Sequence, residues 1–211
     1  MSLYHRNADP PLVRYRDCRP NIRKGDTVLC RLRIRWWMPH DWLTLLIALA
    51  AYSRGTRMLS IWQRFVHAGK VVECEGRLML AEVTAGGGRM IRLSNVVAQW
   101  PGKLVIYRPV FTGYDRDAAA TSMVDATGKP YGWPLVILLG MSHLLLLGLL
   151  ARRLIALWGS HLLPVCSVQV ARADMDGSGG LSPCPDKPLC LIEPHDLAES
   201  SRYRALFVLE P

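Results

Sequence analysis

The sequence predicts an α+β domain in which an antiparallel sheet packs on helices, and three features favour this class. β-compatible runs separated by turn signals fill residues 64–109, which is typical of an antiparallel meander. An apolar stretch of helical character follows at 134–163. A further helix is predicted to open at Cys166, just beyond Pro164.

The remaining elements are predicted from local signals along the chain. β-rich runs bounded by turn residues predict strands at 27–32, 65–73, 77–83, 89–93, 104–109 and 203–209. Capping residues and apolar runs predict helices at 42–52, 95–100 and 166–173, with one helical turn at 194–198. Turn-rich composition predicts loops at 113–132 and 174–188.

Composition bounds the class of protein. Half of the residues are hydrophobic and a fifth are charged, which excludes a disordered chain. Six cysteines in 211 residues, with no CxxC pair, fit neither a disulfide scaffold nor a structural metal site, and no cofactor is predicted. The net charge of +9 favours an anionic partner such as a cell-wall polymer or a membrane face. No nucleic-acid-binding motif accompanies this positive charge, so a nucleic acid is not expected as a partner.

The domain is predicted to span residues 25–211, preceded by an N-terminal arm at 1–24. The arm is polar and broken by prolines, and structure is expected to begin at the turn pair Gly25-Asp26. The arm holds no apolar stretch of signal-peptide length. We therefore expect a cytoplasmic protein, or one carried on a particle such as a virion.

The apolar insert at 134–163 has two readings. Its first run, 134–150, has seventeen residues and includes the polar pair Ser142-His143. This length lies at the lower edge for a membrane-spanning helix. A buried or interfacial helical hairpin is favoured, and a true span remains the alternative, so membrane contact through this insert is open.

Cys166 is the candidate nucleophile. At the start of a helix, unpaired backbone N–H groups and the positive end of the helix dipole stabilise a thiolate. The N–H of Cys166 itself is placed to stabilise the oxyanion that forms when a carbonyl is attacked. Such a nucleophile needs a base.

His67 is the candidate base, and Glu82 is the candidate residue that orients it. A hairpin turn at Cys74-Glu75 would place His67 directly opposite Glu82, whereas a turn at Glu75-Gly76 would make them diagonal neighbours. Both registers put the two side chains on one face of the sheet. The pattern predicts a Cys–His–carboxylate triad.

These residues carry a resemblance to a known family. Five segments resemble the circularly permuted papain-fold amidohydrolases, which are permuted relatives of the NlpC-type cell-wall peptidases and are similar to the lecithin:retinol acyltransferase group. The segments are GDTVLCRL (25–32), residues 65–109, GKPYGW (128–133), CSVQVARA (166–173) and PHDLAESSRYRALFVLEP (194–211). The chain order His67, Glu82, Cys166 is the permuted one. At Gln169 the sequence departs from the acidic residue usual in the family.

The resemblance implies a papain-like hydrolase with Cys166, His67 and Glu82 as catalytic residues. It also implies cleavage of amide bonds, with peptidoglycan peptide crosslinks or stem amides as substrate. Delivery on a bacteriophage tail, among partner proteins of a larger assembly, would bring such an enzyme to the envelope. Two alternatives remain: a lipid-directed amidase or acyltransferase that uses the apolar insert, and a non-catalytic virion protein that keeps the fold. Whether Cys184 and Cys190 form a disulfide is also open.

Overall fold

A computed structural model describes residues 10–31, 65–100, 102–141, 148–158 and 165–210. Within them the fold is α+β, with a seven-stranded sheet and helices packed against it. The strands are β1 (Leu12–Arg14), β2 (Thr27–Arg31), β3 (Phe65–Cys74), β4 (Arg77–Thr84), β5 (Gly87–Arg92), β6 (Leu104–Pro109) and β7 (Tyr203–Glu210). The predicted helix at 42–52 lies outside the described residues.

The helices are α1 (Tyr15–Cys18), α2 (Leu93–Gln99), α3 (Arg116–Val124), α4 (Trp133–Met141), α5 (Gly148–Trp158), α6 (Cys166–Gly177) and α7 (Pro194–Glu199). Short 3-10 turns cover Arg19–Asn21 and Leu189–Leu191. The predicted helices at 95–100 and 166–173 and the turn at 194–198 correspond to α2, α6 and α7.

The sheet has the order β1-β7-β6-β2-β3-β4-β5. Five of its six neighbouring pairs are antiparallel, and β1 pairs with β7 in parallel. The predicted meander is present for β3, β4 and β5, but it is wrong for its last strand, because β6 pairs with β2 on the other side of β3 and not with β5. The helix α2 lies between β5 and β6 in the chain and packs on the face of the sheet, so the chain leaves the edge at β5 before β6 begins. This order makes β3 an interior strand.

The β3–β4 hairpin has the second of the two predicted registers. Cys74 pairs with Arg77 and Gly69 with Glu82, so the two-residue turn is Glu75-Gly76. Both turn residues have positive φ, 51° and 69°, as a type I′ turn requires. His67 and Glu82 are therefore diagonal neighbours on one face.

The core lies on both faces of the sheet. Along β3, Ala68 and Val72 belong to one apolar cluster, which includes Val170 and Ala171 of α6. Val71 belongs to the other, which includes Val96 of α2. The alternation follows from the two-residue repeat of a strand buried on both sides, and it fixes α6 against the strand that carries His67.

The expected start of structure at Gly25 is wrong. In the described part of the predicted arm, Leu12–Arg14 forms β1 and pairs with β7, and Cys18 and Ile22 are buried against the sheet. A three-residue edge strand gains its stability from the neighbouring β7 backbone, so its own sequence carries no alternation strong enough to predict it.

The predicted loop at 113–132 is also wrong in part, because it contains α3. The side chain of Asp115 caps this helix by accepting hydrogen bonds from the backbone N–H groups of Asp117 and Ala118 at 2.9 and 3.0 Å. Its buried face is made of Ala119, Ala120 and Met123, and small alanines give a weak hydrophobic pattern. Likewise α6 runs to Gly177, four residues past its predicted end.

The apolar insert contains α4 and α5, which pack on each other. Leu135 and Ile155 are fully buried against Val165 and Val168, which flank Cys166. Among the helices within the described residues, none combines the length and apolar character required to cross a bilayer.

Candidate active site

Cys166 opens α6 at the edge of the core. Val165 precedes it in an extended conformation, and no described side chain caps this helix end. The N-cap residue therefore occupies none of the first backbone N–H groups of the helix, and the sulfur accepts hydrogen bonds from the backbone N–H groups of Ala68 and Ser167. Cys166 is 7% exposed, so the sulfur sits in a largely desolvated position.

His67 lies beside Cys166 and is held by Glu82. Its Nε2 is 2.6 Å from Glu82 Oε2, while the ring also makes a side-chain hydrogen bond to the Cys166 sulfur. Because Glu82 occupies Nε2, Nδ1 is the nitrogen left for the sulfur. The diagonal register of the hairpin places the carboxylate to fix both the tautomer and the plane of the ring.

The electrostatics of the pair favour a thiolate and an imidazolium. Burial opposes the charged sulfur, but the positive charge and hydrogen bond of His67 outweigh it and lower the pKa of Cys166 below 9.0. Burial likewise opposes the charged ring, but Cys166 and Glu82 raise the pKa of His67 to about 10. Each partner stabilises the charge of the other.

Arg89 is a member of the site that sequence reasoning missed. It pairs directly with Glu82 across β4 and β5, and its Nε and Nη2 lie 2.8 and 2.7 Å from Glu82 Oε1. The two carboxylate oxygens are thus divided between His67 and Arg89. The register that joins them depends on two successive hairpins, and the turn signals in the sequence restrict the register only of the first.

Two aromatic residues complete the surroundings. The Trp100 ring stacks on His67 with centroids 6.1 Å apart. Tyr131 packs against the apolar cluster that contains Val165 and Val168, and burial and the negative charge of Cys166 raise its pKa. The sequence predicts Trp100 only as the end of a helix, and it includes Tyr131 only within the GKPYGW segment.

The glycines at 86–88 have a structural role near the site. A Cβ on Gly88 would come within 1.9 Å of the Ala126 carbonyl oxygen. Gly88 N–H donates to Lys129 O, and Gly128 N–H donates to Gly88 O, both at 2.9 Å. This close approach fixes the segment leading to Tyr131 on the edge strand β5.

The structure thus brings together all three predicted residues, His67, Glu82 and Cys166. Gln169 lies outside this group, and its side-chain amide donates to Ser122 O at 3.0 Å. The pairing left open for Cys184 and Cys190 is absent, and all six cysteines are free thiols.

The residues of the site are bonded mainly to one another. Within the described ranges, no cluster of three His, Cys, Asp or Glu residues is arranged to hold a metal ion. Around Cys166, Glu82 gives its oxygens to His67 and Arg89, and both ring nitrogens of His67 are engaged.

Comparison with known proteins gives one structural relative of note. No protein-family model and no curated protein matches the chain. The structure is similar to the crystal structure of "metalloprotein yiiX from Escherichia coli O157:H7, DUF1105", with a TM-score of 0.56 and 15% identity, over 90% of this chain and 99% of that chain. At this identity the likeness shows a shared fold.

Proposed function

We propose that this protein is a cysteine amidohydrolase with a circularly permuted papain-like fold. The observation that supports it best is the hydrogen-bonded series Cys166–His67–Glu82 at the start of a helix. Its order along the chain, with the nucleophile last, agrees with the permuted family that the sequence resembles. A buried cysteine whose pKa is lowered by a neighbouring imidazolium is the activated form that acyl transfer requires.

The proposed reaction has two halves. The Cys166 thiolate bonds to the substrate carbonyl carbon, and the carbonyl π electrons move to the oxygen, where the Cys166 backbone N–H helps to stabilise the charge. The tetrahedral intermediate then collapses, and the amine leaves with the proton of His67. Water attacks the resulting thioester while His67 takes its proton, which releases the carboxylate and frees the thiolate.

We propose peptidoglycan peptides, at a crosslink or stem amide, as the substrate. The family resemblance points to such amides, and the net charge of +9 suits a wall polymer that carries free carboxylates. The test is incubation with purified murein, followed by mass spectrometry of the released fragments and of new amino termini.

Matched variants make this test specific. Cys166→Ala should abolish release, whereas Cys74→Ala, at an exposed cysteine on the hairpin end, should leave it unchanged. Release of fragments by Cys166→Ala would contradict the role of Cys166 as the nucleophile. A Cys166→Ala variant that retains the protein's full biological activity would establish the non-catalytic structural alternative. Placement on a bacteriophage tail remains a prediction, which detection of the chain in purified virions would support and its absence from them would contradict.

Exposed apolar residues favour a second candidate, a lipid-directed amidase or acyltransferase. Ile137, Leu149 and Leu150 are 59%, 77% and 55% exposed on α4 and α5, the helix pair that packs beside Cys166. Such a surface is suited to an acyl chain or bilayer.

The two substrates are separated by assaying murein and an N-acyl amide in parallel. If the lipid is the substrate, L149Q/L150Q should lose activity on it several-fold, while Leu181→Gln, at a 49% exposed position outside the insert, should not. Equal activity of both variants on the acyl amide would remove this candidate.

A further inference from the structure

A buried ion pair joins the two elements that carry Cys166 and His67. Lys70 of β3 and Asp174 of α6 have side chains that are 0% exposed, and Lys70 Nζ lies 2.7 Å from Asp174 Oδ1. Lys70 Nζ also donates to Gly25 O at 3.1 Å and to Thr27 Oγ1 at 3.0 Å. The ammonium group is therefore held from β3, α6 and the start of β2.

Two tyrosines complete the bonding of the carboxylate. Tyr114 OH donates to Asp174 Oδ1 at 2.5 Å, and Tyr203 OH donates to Oδ2. The Tyr114 ring also lies 5.7 Å from Lys70 Nζ. We call Lys70, Asp174, Tyr114 and Tyr203 the buried clamp. Asp26 and Arg116 are the other charged groups that act on Lys70.

The clamp is remote from the chemistry but shares its supports. Asp174 follows Cys166 by eight residues, or about 12 Å along a helix axis. At 3.6 residues per turn the two positions are offset by about 80° around the axis, so both lie within one stripe of the helix surface. Lys70 follows His67 by three residues, or about 10 Å along a strand. The clamp thus fixes α6 against β3 at a second point beyond the sulfur and the imidazole.

A buried ion pair adds little to the free energy of unfolding, because the cost of desolvating two charges offsets most of their attraction. It restricts geometry more strongly, since a buried network can satisfy all its hydrogen bonds in only one arrangement of its side chains. Every charged atom of the clamp has such partners. The sliding of α6 along β3 that would separate Cys166 from His67 would break this network.

We infer that Lys70 and Asp174 are positioning residues, which fix the register of α6 on β3 and so set the distance between the Cys166 sulfur and the His67 ring. This role rests on the proposed function of Cys166. It predicts that loss of the clamp weakens the activation of the sulfur even in a folded protein.

The test uses K70M/D174N in the full chain. This variant removes both charges, and the amide oxygen that replaces the carboxylate can still accept a tyrosine hydroxyl. The rate of Cys166 alkylation by iodoacetamide is measured against pH by peptide mass spectrometry, with the exposed Cys74 as an internal reference. The midpoint should rise by about one pH unit, so alkylation should slow about tenfold on the acidic side. Near-UV circular dichroism confirms that each sample is folded.

Arg108→Met is the matched control. It breaks a different buried contact, Arg108 to Asp26 at 2.7 Å, which does not join α6 to β3. It should lower the melting temperature while leaving the Cys166 midpoint unchanged. If K70M/D174N behaves like Arg108→Met, with lower stability and an unchanged midpoint, the positioning role is overturned.

If K70M/D174N fails to fold, Tyr114→Phe and Tyr203→Phe test the same point, because each removes one bond to Asp174 and keeps the ion pair. Both should raise the midpoint by a smaller amount, and two unchanged midpoints would overturn the inference. Wild-type Cys166 that titrates like Cys74 would contradict the proposed function and the inference together. A shifted wild-type midpoint with unshifted variants would contradict the inference alone.

Discussion

At the scale of single residues, Glu82 connects His67 to Arg89 in the candidate site. It is 5% exposed, and it contacts His67 and Arg89 through separate oxygens. Burial opposes its charge, but the hydrogen bonds and charges of these two partners outweigh that effect and lower its pKa. The negative charge that supports the imidazolium is therefore maintained from the solvent side by Arg89.

Removing Arg89 should weaken the site without abolishing it. In Arg89→Met the pKa of Glu82 rises, the imidazolium of His67 loses support, and the Cys166 thiolate forms at higher pH. Arg89 is 58% exposed, so solvent screens it, and we expect kcat/KM at neutral pH to fall only about 2–5-fold. Arg89→Lys should restore part of this loss.

Arg92→Met provides the charge-matched control for this substitution. Arg92 is exposed on the same strand but pairs with Met79, so the variant should retain wild-type kcat/KM and an unchanged acid limb. Equal losses in Arg89→Met and Arg92→Met would mean that overall charge is responsible.

The pH dependence of the reaction follows from the two shifted groups. As pH falls through the lowered pKa of Cys166, the sulfur gains a proton and attack stops. As pH rises through about 10, His67 loses the proton that the leaving amine needs. We therefore expect a bell-shaped profile of kcat/KM, with its acid limb well below the ordinary thiol value of about 8.5 and its alkaline limb near 10. A profile that only rises, with a midpoint of about 8.5, would indicate an unperturbed thiol.

At the scale of elements, the β3–β4 hairpin determines which residues meet. Its turn contains Glu75 at φ 51°, where a residue with a Cβ is strained by roughly 1 kcal/mol. Asparagine tolerates this conformation better, and Asn-Gly is the preferred type I′ pair. Glu75→Asn should therefore stabilise the protein by about 0.5–1 kcal/mol, measured as the free energy of unfolding in urea.

Glu73→Asn separates this effect from a change of charge. Glu73 is exposed in β3, where asparagine has low strand propensity. This variant should show no gain in stability. A gain of the same size at both positions would contradict the role of the turn.

Local sequence determines some elements and not others. The hairpin was predictable, because Glu-Gly between two β-rich runs restricts the register to two choices, and both place His67 and Glu82 on one face. Arg89 was not, since its partner depends on the pairing of β4 with β5. The α3 helix was missed because its alanine face has little hydrophobic contrast, although Asp115 was a readable cap.

The buried clamp could not be predicted from local sequence. Asp174 was read as part of a loop, yet it lies in α6, opposite a lysine 104 positions earlier in the chain. A buried lysine in a strand has no sequence signature, because the desolvation of its charge is compensated only when a carboxylate from elsewhere in the chain packs against it. The helix start at Cys166 was easier to predict, since a helix start after a proline can be recognised locally.

At the scale of the whole molecule, the net charge of +9 should act on encounter with the proposed polymer. Attraction between exposed charges is screened over about 8–10 Å at physiological salt and over about 3 Å at 1 M. Cosedimentation with insoluble murein should therefore decrease as salt is raised. An uncharged polymer such as cellulose is the control, and salt-independent binding to murein would contradict the electrostatic contribution.

The topology also orders events during synthesis of the chain on the ribosome. The imidazole and its carboxylate belong to one local hairpin, and their hydrogen bond can form once residue 84 has emerged. The sulfur is translated 84 positions after Glu82, and β7, which fills the place between β1 and β6, emerges later still. In the nascent chain the His67–Glu82 pair is therefore synthesised well before Cys166, and the start of α6 can reach β3 only after every described strand of the sheet except β7 has been translated, with β1 still lacking its partner.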